Sequence, residues 1–241
     1  MLNLPDYITL SEVGPRDGLQ SLDRWIETDT KIAMIDRLSR AGFPVIEITG
    51  FVRNSVIPNL RDAEEVCARI QRRQGIKYRA LVPNARGAER AVESKLDELL
   101  GLLTVSESYL RKNQNMTMDE AIDQGVKCFR IADAAGMGFV MALGVAMWCA
   151  YEGPIPQDKT IAVLRRLHDG GIRRFYLAGS MGMEDPMMVA SLSIPLVRRQ
   201  NGLDAAWNPA ETWGPRGEQE ALLGIESHAC SASSFVITGA G

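Results

Sequence analysis

The stretch from Gly14 to Gln20 combines an arginine, a carboxylate and an amide with two glycines: Gly-Pro-Arg-Asp-Gly-Leu-Gln. Arg16 can polarise a carbonyl or hold a carboxylate through paired hydrogen bonds, and Asp17 can bind a hard metal ion or accept a proton. The alternative is an Arg–Asp pair that only closes a turn. The spacing alone leaves both interpretations open.

A second carboxylate, Glu47, lies within the apolar run from Val45 to Ile48, which has the character of a strand. A carboxylate in such a strand needs a partner or a polar cavity, because burying it alone carries a large desolvation cost. We therefore expect Glu47 to point into a functional site. The alternative is an outward-facing ion pair with a lysine or arginine of a flanking helix.

Two later segments carry polar side chains suited to ligand binding. Ser106 precedes a basic, amide-rich loop that contains Lys112 and Asn113. Such a loop could contact anionic groups of a bulky ligand, and the alternative is a solvated surface loop. Tyr151 comes soon after Cys149. No histidine lies near Cys149 in the sequence to activate it, so this cysteine is interpreted as a packing residue.

The elements that must position these residues alternate between short β-rich runs and amphipathic helical segments, without a Pro/Gly/Ser-rich linker. Strands are predicted at 7–13, 44–51, 78–82, 99–105, 139–147, 173–177, 203–207 and 229–236. Helices are predicted at 29–41, 62–71, 87–93, 118–135, 158–168, 186–199 and 217–223. This repeat favours an α/β fold, a parallel (β/α)8 TIM barrel forming a single domain over 1–241, with the last helix missing. Chemistry in such barrels lies in the loops that follow the strands.

Composition excludes several classes of function. With 27 Lys plus Arg against 30 Asp plus Glu, the formal charge is −3, so the chain lacks the basic field of a nucleic-acid-binding protein. The most apolar stretch, residues 139–150, is shorter than the ~20 residues of a membrane span. No secretory signal pattern opens the chain, and its four cysteines form no CxxC pair. We expect a cytoplasmic protein with reduced thiols and a small-molecule substrate.

These residues resemble the signatures of the 3-hydroxy-3-methylglutaryl-CoA lyase family, TIM-barrel members of a metallolyase superfamily. The stretch from Glu12 to Gln20 is similar to the family's first signature, and the stretch from Val45 to Val52 to its second. Further segments agree in type and order: Leu81-Val82-Pro83-Asn84, Ser106-Glu107, Lys112-Asn113 with Asn115, and Tyr151-Glu152-Gly153.

The resemblance implies a lyase that splits a tertiary β-hydroxy acyl-CoA into acetyl-CoA and acetoacetate, with a divalent metal chelating the substrate's carboxylate and hydroxyl. By resemblance, Arg16 would stabilise the developing enolate oxygen, Asp17 would bind the metal, and Glu47 would shape the site. The expected substrate-binding residues are Gln20, Asn84, Ser106, Lys112, Asn113 and Tyr151.

The later part of the chain departs from the family pattern. Asn208 and Ala210 stand where the family has two metal-binding histidines, and Gly179 stands where it has an aspartate. The family's catalytic cysteine and a metal-binding asparagine belong to a loop that begins where this sequence stops. The chain's own histidines, His168 and His228, are predicted to lie away from the site.

An all-oxygen metal site remains open as an alternative. Asp17, Asn208 and Glu211 would then hold Mg²⁺ or Mn²⁺, and otherwise no cofactor is expected.

The leading hypothesis is a divergent carbon–carbon lyase or aldolase that acts on a β-hydroxy acyl-CoA or a related small hydroxy acid. The alternative is a catalytically silent lyase-like barrel that binds a ligand or a partner protein. A third reading is that the chain is an incomplete version of a longer protein. The barrel side left uncovered by the absent eighth helix would expose apolar surface and favour a homo-oligomer.

Overall fold

The computed structural model describes residues 8–180, residues 182, 183, 185 and 188, and the backbone of two later strands. The strands are β1 (Ile8–Glu12), β2 (Val45–Gly50), β3 (Lys77–Val82), β4 (Glu98–Thr104), β5 (Gly138–Gly144), β6 (Trp148–Cys149), β7 (Gly153–Pro154), β8 (Phe175–Ala178), β9 (Leu223–Ser227) and β10 (Phe235–Gly239). The helices are α1 (Thr28–Ala41), α2 (Ala63–Arg69), α3 (Ala85–Val92), α4 (Glu107–Gln114), α5 (Met118–Ala134) and α6 (Gln157–Asp169).

Eight of these strands form a closed barrel in the order β1-β10-β9-β8-β5-β4-β3-β2, and β6 pairs with β7 in a separate hairpin. All neighbours from β1 through β2, β3, β4, β5 and β8 to β9 are parallel. The predicted TIM-barrel fold is therefore confirmed, with a helix after each of the first five barrel strands.

The last strand corrects the expectation of a wholly parallel barrel. β10 runs antiparallel to both β9 and β1. Only seven residues, 228–234, connect β9 to β10, and a parallel crossover needs a dozen or more. The predicted helix 217–223 lies outside the described residues except at Leu223, which begins β9. Of the predicted strand 229–236 only Phe235 and Val236 are described, and both belong to β10. The predicted strand 203–207 and nearly all of the predicted helix 186–199 lie outside the described residues.

Two apolar clusters separate the inside of the barrel from its helical layer. The smaller cluster fills the interior: Val13, Leu81, Leu100, Val140, Ala142, Tyr176 and Ala178. The larger cluster, which includes Ile35, Ile46 and Leu103, packs the strands against the helices. Successive strand residues point to opposite faces, so this division follows from the period of two along each strand.

Local sequence signals account for the helix ends. Gly42 ends α1 in the left-handed conformation, with φ of 88°. Thr117 and Glu120 begin α5 with the predicted capping box.

The predicted loop after β4 is instead the helix α4. Ser106 caps it by accepting from the Tyr109 N–H, and Glu107 and Lys112 lie at the ends that the helix dipole favours for their charges.

No helix in the described part of the chain is long and apolar enough to cross a membrane.

Candidate active site

The turn after β1 positions two of the candidate side chains, Arg16 and Asp17. Glu12 accepts a hydrogen bond from the Gly14 N–H at 2.6 Å, and residues Gly14–Gly18 then form a single π-helical turn. The N–H groups of Arg16 and Asp17 both donate to the Val13 carbonyl, at 3.1 and 2.8 Å. The turn is thus fixed by its own backbone, at the carboxyl end of β1 where barrel enzymes carry their chemistry.

Arg16 joins this turn to the neighbouring strand β2. Its Nε donates to Oε1 of Glu47, and its Nη1 donates to Oδ1 of Asp17 at 2.5 Å. Nε2 of Gln20 reaches the same Asp17 oxygen at 2.9 Å. The four predicted residues therefore meet, and the partner of Glu47 is this arginine rather than a side chain of a flanking helix.

Glu47 is more deeply buried than Asp17. Its side chain is only 1% exposed, against 22% for Asp17. The register between β2 and β3 shifts directly after it, between Glu47 and Thr49. Such a bulge redirects the side chains around it and is common beside active sites. The second carboxylate oxygen of Glu47, Oε2, is buried and has no hydrogen-bond partner among the described residues.

The chemistry of this group suits a hard cation as an additional partner. Among the described residues, two carboxylates face one guanidinium, which gives these three side chains a formal charge of −1, and the buried Oε2 of Glu47 has no partner there. Mg²⁺ and Mn²⁺ prefer such oxygen donors. Asn208 and Glu211 lie outside the described residues, and within those residues no group of three or more His, Cys, Asp or Glu side chains could hold a metal. Asp17 is thus the one predicted ligand whose surroundings are defined.

A second polar group links α4 to the hairpin of β6 and β7. Oε1 of Glu152 accepts from the Ser106 hydroxyl at 2.7 Å and from the Ser108 N–H at 2.8 Å, and Oε2 accepts from Lys159 at 3.1 Å. Burial alone would raise the pKa of Glu152, but these hydrogen bonds outweigh it and lower the pKa to about 2. Glu152 is not among the candidate residues predicted from the sequence, although it belongs to the Tyr151-Glu152-Gly153 motif.

Cys149 belongs to this group through packing. It is fully buried, and its thiol donates to the Ser106 hydroxyl at 3.0 Å. Cys67, Cys128 and Cys149 are all free and buried, and burial raises the pKa of both Cys67 and Cys128 to about 12. The interpretation of Cys149 as a packing residue agrees with these contacts, and Ser106 emerges as a buried helix cap.

Lys112 and Tyr151 meet beside this group. The Lys112 Nζ lies 3.7 Å from the centroid of the Tyr151 ring, whose other neighbour is Tyr109 at 5.7 Å between ring centroids. Tyr151 remains 52% exposed, and Asn113 is exposed on α4. The result is an exposed aromatic surface with a cation over it.

Asn84 is placed separately, as the N-cap of α3. Its Oδ1 accepts from the Gly87 N–H at 3.0 Å. That bond explains an amide at this position through helix capping, and its predicted contact with substrate stays a prediction.

Sequence analysis missed a buried charge cluster inside the barrel. Arg79 and Arg174 both form ion pairs with Glu98, whose side chain is 2% exposed. Burial raises the pKa of Glu98, but the two guanidinium charges outweigh it and lower the pKa. Glu98 is the first residue of β4, at the end of the barrel opposite the candidate site. The signal was available, because a carboxylate at the start of an apolar strand needs a partner just as Glu47 does.

Comparison with known proteins identifies the family of the chain. A family model, HMGL-like, matches residues 7–204. A hydroxymethylglutaryl-CoA lyase of Bacillus subtilis is 37% identical over 195 residues, which make up 81% of this chain and 65% of that enzyme. The chain thus spans less than two thirds of the length of this curated relative. The positions of Asn208 and Glu211 lie beyond the end of the family match.

Solved structures give the same result. The crystal structure of the B. subtilis HMG-CoA lyase has a TM-score of 0.81 and 33% identity, covering 93% of this chain and 70% of that one. An HMG-CoA lyase of Acinetobacter baumannii, in complex with coenzyme A and 3-methylmalate, has a TM-score of 0.79 and 30% identity, covering 95% of this chain and 68% of that one. On the family match over residues 7–204 and these similarities, the chain belongs to the HMGL-like family.

Proposed function

We propose that this protein is a carbon–carbon lyase that cleaves a β-hydroxy acyl-CoA, or a related small hydroxy acid, in a retro-aldol reaction. The observation that carries the proposal is the position of Arg16, held between Asp17 and Glu47 just beyond the carboxyl end of β1. Membership of the HMGL-like family supports the same class of reaction. The A. baumannii relative, crystallised with coenzyme A, supports an acyl-CoA as the substrate class.

The bond changes define what Arg16 must do. The substrate hydroxyl loses its proton as the bond between the hydroxyl carbon and the α-carbon of the thioester breaks. The electron pair of that bond passes to the thioester as an enolate, and the hydroxyl carbon becomes a carbonyl. Protonation of the enolate at carbon then gives the shorter acyl-CoA. Negative charge develops on the thioester oxygen, and a cation fixed beforehand stabilises it without reorganisation.

The two carboxylates explain how Arg16 is fixed. Glu47 holds Nε and Asp17 holds Nη1, so the plane of the guanidinium is set before any substrate binds. An arginine serves this role better than a lysine, because its planar fork can meet two partners and still address a third.

Lys112 and Tyr151 supply a surface for coenzyme A, the carrier part of the proposed substrate. We assign the exposed ring of Tyr151 to contact with the aromatic base of coenzyme A. The ammonium of Lys112, which lies above this ring, is assigned to contact with the phosphates of the same carrier. Glu152 fixes this surface by joining α4 to the hairpin, and Gln20, Asn84, Ser106 and Asn113 complete the proposed set of substrate-binding residues.

A divalent cation would fit beside Asp17, with Asn208 and Glu211 as further proposed ligands, and would draw the substrate's carboxylate and hydroxyl oxygens together. This assignment is supported by the Oε2 of Glu47, which has no partner among the described residues, and by the formal charge of −1 on Arg16, Asp17 and Glu47 together. Titration calorimetry with Mn²⁺ alone tests it without any turnover assay. Asp17→Asn should weaken binding about tenfold or more, whereas unchanged Mn²⁺ affinity would remove Asp17 from the ligand set.

We further propose a cytoplasmic location. The free thiols of Cys67, Cys128 and Cys149 support it, because reducing compartments keep such thiols unpaired.

The function is tested by incubating the purified protein with a panel of β-hydroxy acyl-CoAs and free hydroxy acids, with Mg²⁺, with Mn²⁺ or with a chelator. The expected result is a carbonyl product and a shorter acyl-CoA, or a shorter acid, formed in equal amounts. Arg16→Ala should abolish turnover, and Arg130→Ala, a change on the exposed side of α5, should not. Binding of coenzyme A without turnover of any panel member would favour the silent, ligand-binding barrel instead.

A further inference from the structure

The segment that joins the π-helical turn to α1, residues 19–27, is tied to the stretch between β2 and α2 by a single side chain. Asn59 donates from Nδ2 to the carbonyls of Leu22, at 2.5 Å, and Leu19, at 3.3 Å. Asn59 is itself buried. Because a buried amide needs its hydrogen bonds, these two contacts fix the path of the chain from Leu19 to Leu22.

Asn59 is held in turn by a buried ion pair. The Lys31 ammonium donates to the Asn59 carbonyl at 2.6 Å and to the two carboxylate oxygens of Asp62 at 2.8 and 3.0 Å. The Thr28 hydroxyl donates to the same carboxylate at 2.8 Å. The three hydrogen bonds use the full donor capacity of the ammonium. Lys31 is therefore a support for Asn59 rather than a group that addresses a ligand.

The indole of Trp25 adds a third point of attachment for segment 19–27. The Lys31 Nζ lies 3.8 Å and the Arg61 Cζ 3.7 Å from the centroid of the Trp25 ring. Cations over an aromatic ring attract it electrostatically. The far end of the segment is thus held by Trp25, and its near end, beside the candidate site, is held by Asn59.

The near end of the segment contacts the candidate site through Gln20. Nε2 of Gln20 donates at 2.9 Å to Oδ1 of Asp17, the oxygen that also accepts from Arg16. The Leu19 carbonyl belongs to the planar peptide unit that leads into Gln20. By holding that carbonyl, Asn59 sets the direction in which the Gln20 side chain leaves the backbone. One peptide unit and one side chain separate Asn59 from Asp17.

We propose that Asn59 is a positioning residue of the candidate site, which acts through Leu19 and Gln20 to hold Asp17 against Arg16. Its kinetic consequence rests on the proposed lyase function, whereas the contacts themselves exist without substrate. A displacement of about 1 Å in a reacting group can cost about 100-fold in rate. A residue that fixes the orientation of the groups around Arg16 therefore affects turnover without touching the substrate.

Asn59→Leu removes both hydrogen bonds and keeps a side chain of similar size. Hydrogen–deuterium exchange without substrate should become about threefold to tenfold faster in the turn 14–18 as well as in segment 19–27. On the substrate found in the panel, kcat should fall about tenfold or more while KM changes less than about threefold. Circular dichroism checks that the variant is folded, and Asn59→Ser replaces it if it is not.

A double variant tests the route through Gln20. If Asn59 acts through this side chain, Asn59→Leu/Gln20→Met should lose little more kcat/KM than Gln20→Met alone. Asn59→Gln keeps the amide on a longer side chain and should recover most of kcat. Thr28→Val is the matched control. It removes one bond to Asp62, which Lys31 still holds, and should leave turnover unchanged.

Four results would overturn the assignment of Asn59. Faster exchange confined to segment 19–27 would make this residue an anchor of that segment only. Additive losses in the double variant would show that it acts independently of Gln20. A loss confined to KM would assign it to binding of the ground state, and an equal loss of turnover in Thr28→Val would indicate a general effect of stability. If the wild type turns over no panel member, the lyase function alone fails, and exchange in the turn 14–18 still decides whether Asn59 holds the site.

Discussion

Nε of Arg16, in the turn after β1, donates a hydrogen bond to Oε1 of Glu47 on the neighbouring strand β2. Thirty-one residues separate the two in sequence, and both side chains are nearly excluded from solvent. The pair therefore depends on the barrel itself, since the parallel pairing of β1 with β2 brings the end of β1 beside Glu47. It ties a candidate catalytic group to the rigid part of the fold.

Arg16→Lys distinguishes the geometry of the guanidinium from its charge. A lysine keeps the positive charge but cannot donate in one plane to both Asp17 and Glu47. We expect kcat of the proposed lyase to fall about 100-fold with little change in KM, because the lost interaction is made in the transition state. Steady-state kinetics on the substrate found in the panel measures this. A change confined to KM would assign Arg16 to binding the ground state.

Glu47→Ala tests the buried end of the pair. Removing this carboxylate leaves Arg16 buried with one partner fewer, so the free energy of unfolding should drop by about 3 kcal/mol. Urea denaturation provides the measurement. Glu65→Ala removes an exposed partner of Arg69 and is the matched control, with an expected loss below about 1 kcal/mol. Equal losses for the two variants would mean that the Arg16–Glu47 pair contributes no more than a surface contact.

The lowered pKa of Glu152 predicts how the stability of the protein depends on pH. Its pKa is lowered from 4.5 to about 2 in the folded chain, so its contribution is complete above pH 4.5 and is lost as the pH falls toward 2. Glu152→Gln should destabilise the protein at pH 7 by about 2 kcal/mol, because it removes charged hydrogen bonds to Ser106, Ser108 and Lys159. The difference between the wild type and this variant should shrink steadily between pH 4.5 and pH 2 in thermal unfolding. A difference that is constant over this range would assign the effect to packing alone.

Tyr151→Ala tests the proposed surface for the carrier. The change removes the ring beneath Lys112 without touching the hydrogen bonds of Glu152, so the protein should fold normally. Affinity for coenzyme A, measured by calorimetry, should fall about fivefold to tenfold. Tyr151→Phe keeps the ring and should bind coenzyme A like the wild type. Unchanged affinity in the alanine variant would place the carrier elsewhere on the barrel.

Sequence patterns predicted the elements whose signals are local. The capping box at Thr117 and the terminating Gly42 fixed the limits of α5 and α1 to within a residue. The sequence predicts a loop in place of α4 because the segment is short and polar, although Ser106 supplies a local helix cap through its bond to the Tyr109 N–H. The antiparallel β10 could not be predicted either, since strand direction depends on tertiary pairing rather than on the residues of the strand.

For the candidate site, too, the sequence predicts residue types but not the tertiary contacts between them. Arg16, Asp17 and Glu47 were selected by residue type and by resemblance, and the structure adds the contacts that join them. Glu98 was overlooked although its strand context resembles that of Glu47. Glu47 is the third residue of β2 and Glu98 is the first residue of β4, and the arginine that each carboxylate meets depends on the register between strands.

Glu98→Leu tests whether the buried cluster serves stability alone. The change leaves Arg79 buried and Arg174 partly buried without their shared carboxylate, so the free energy of unfolding should fall by about 3 to 5 kcal/mol. Replacing all three residues by leucine removes the uncompensated charges and should recover most of that loss. Turnover by the folded triple variant should match the wild type, because the cluster lies at the opposite end of the barrel from Arg16. Loss of turnover with stability restored would show that the cluster acts on the candidate site through the barrel interior.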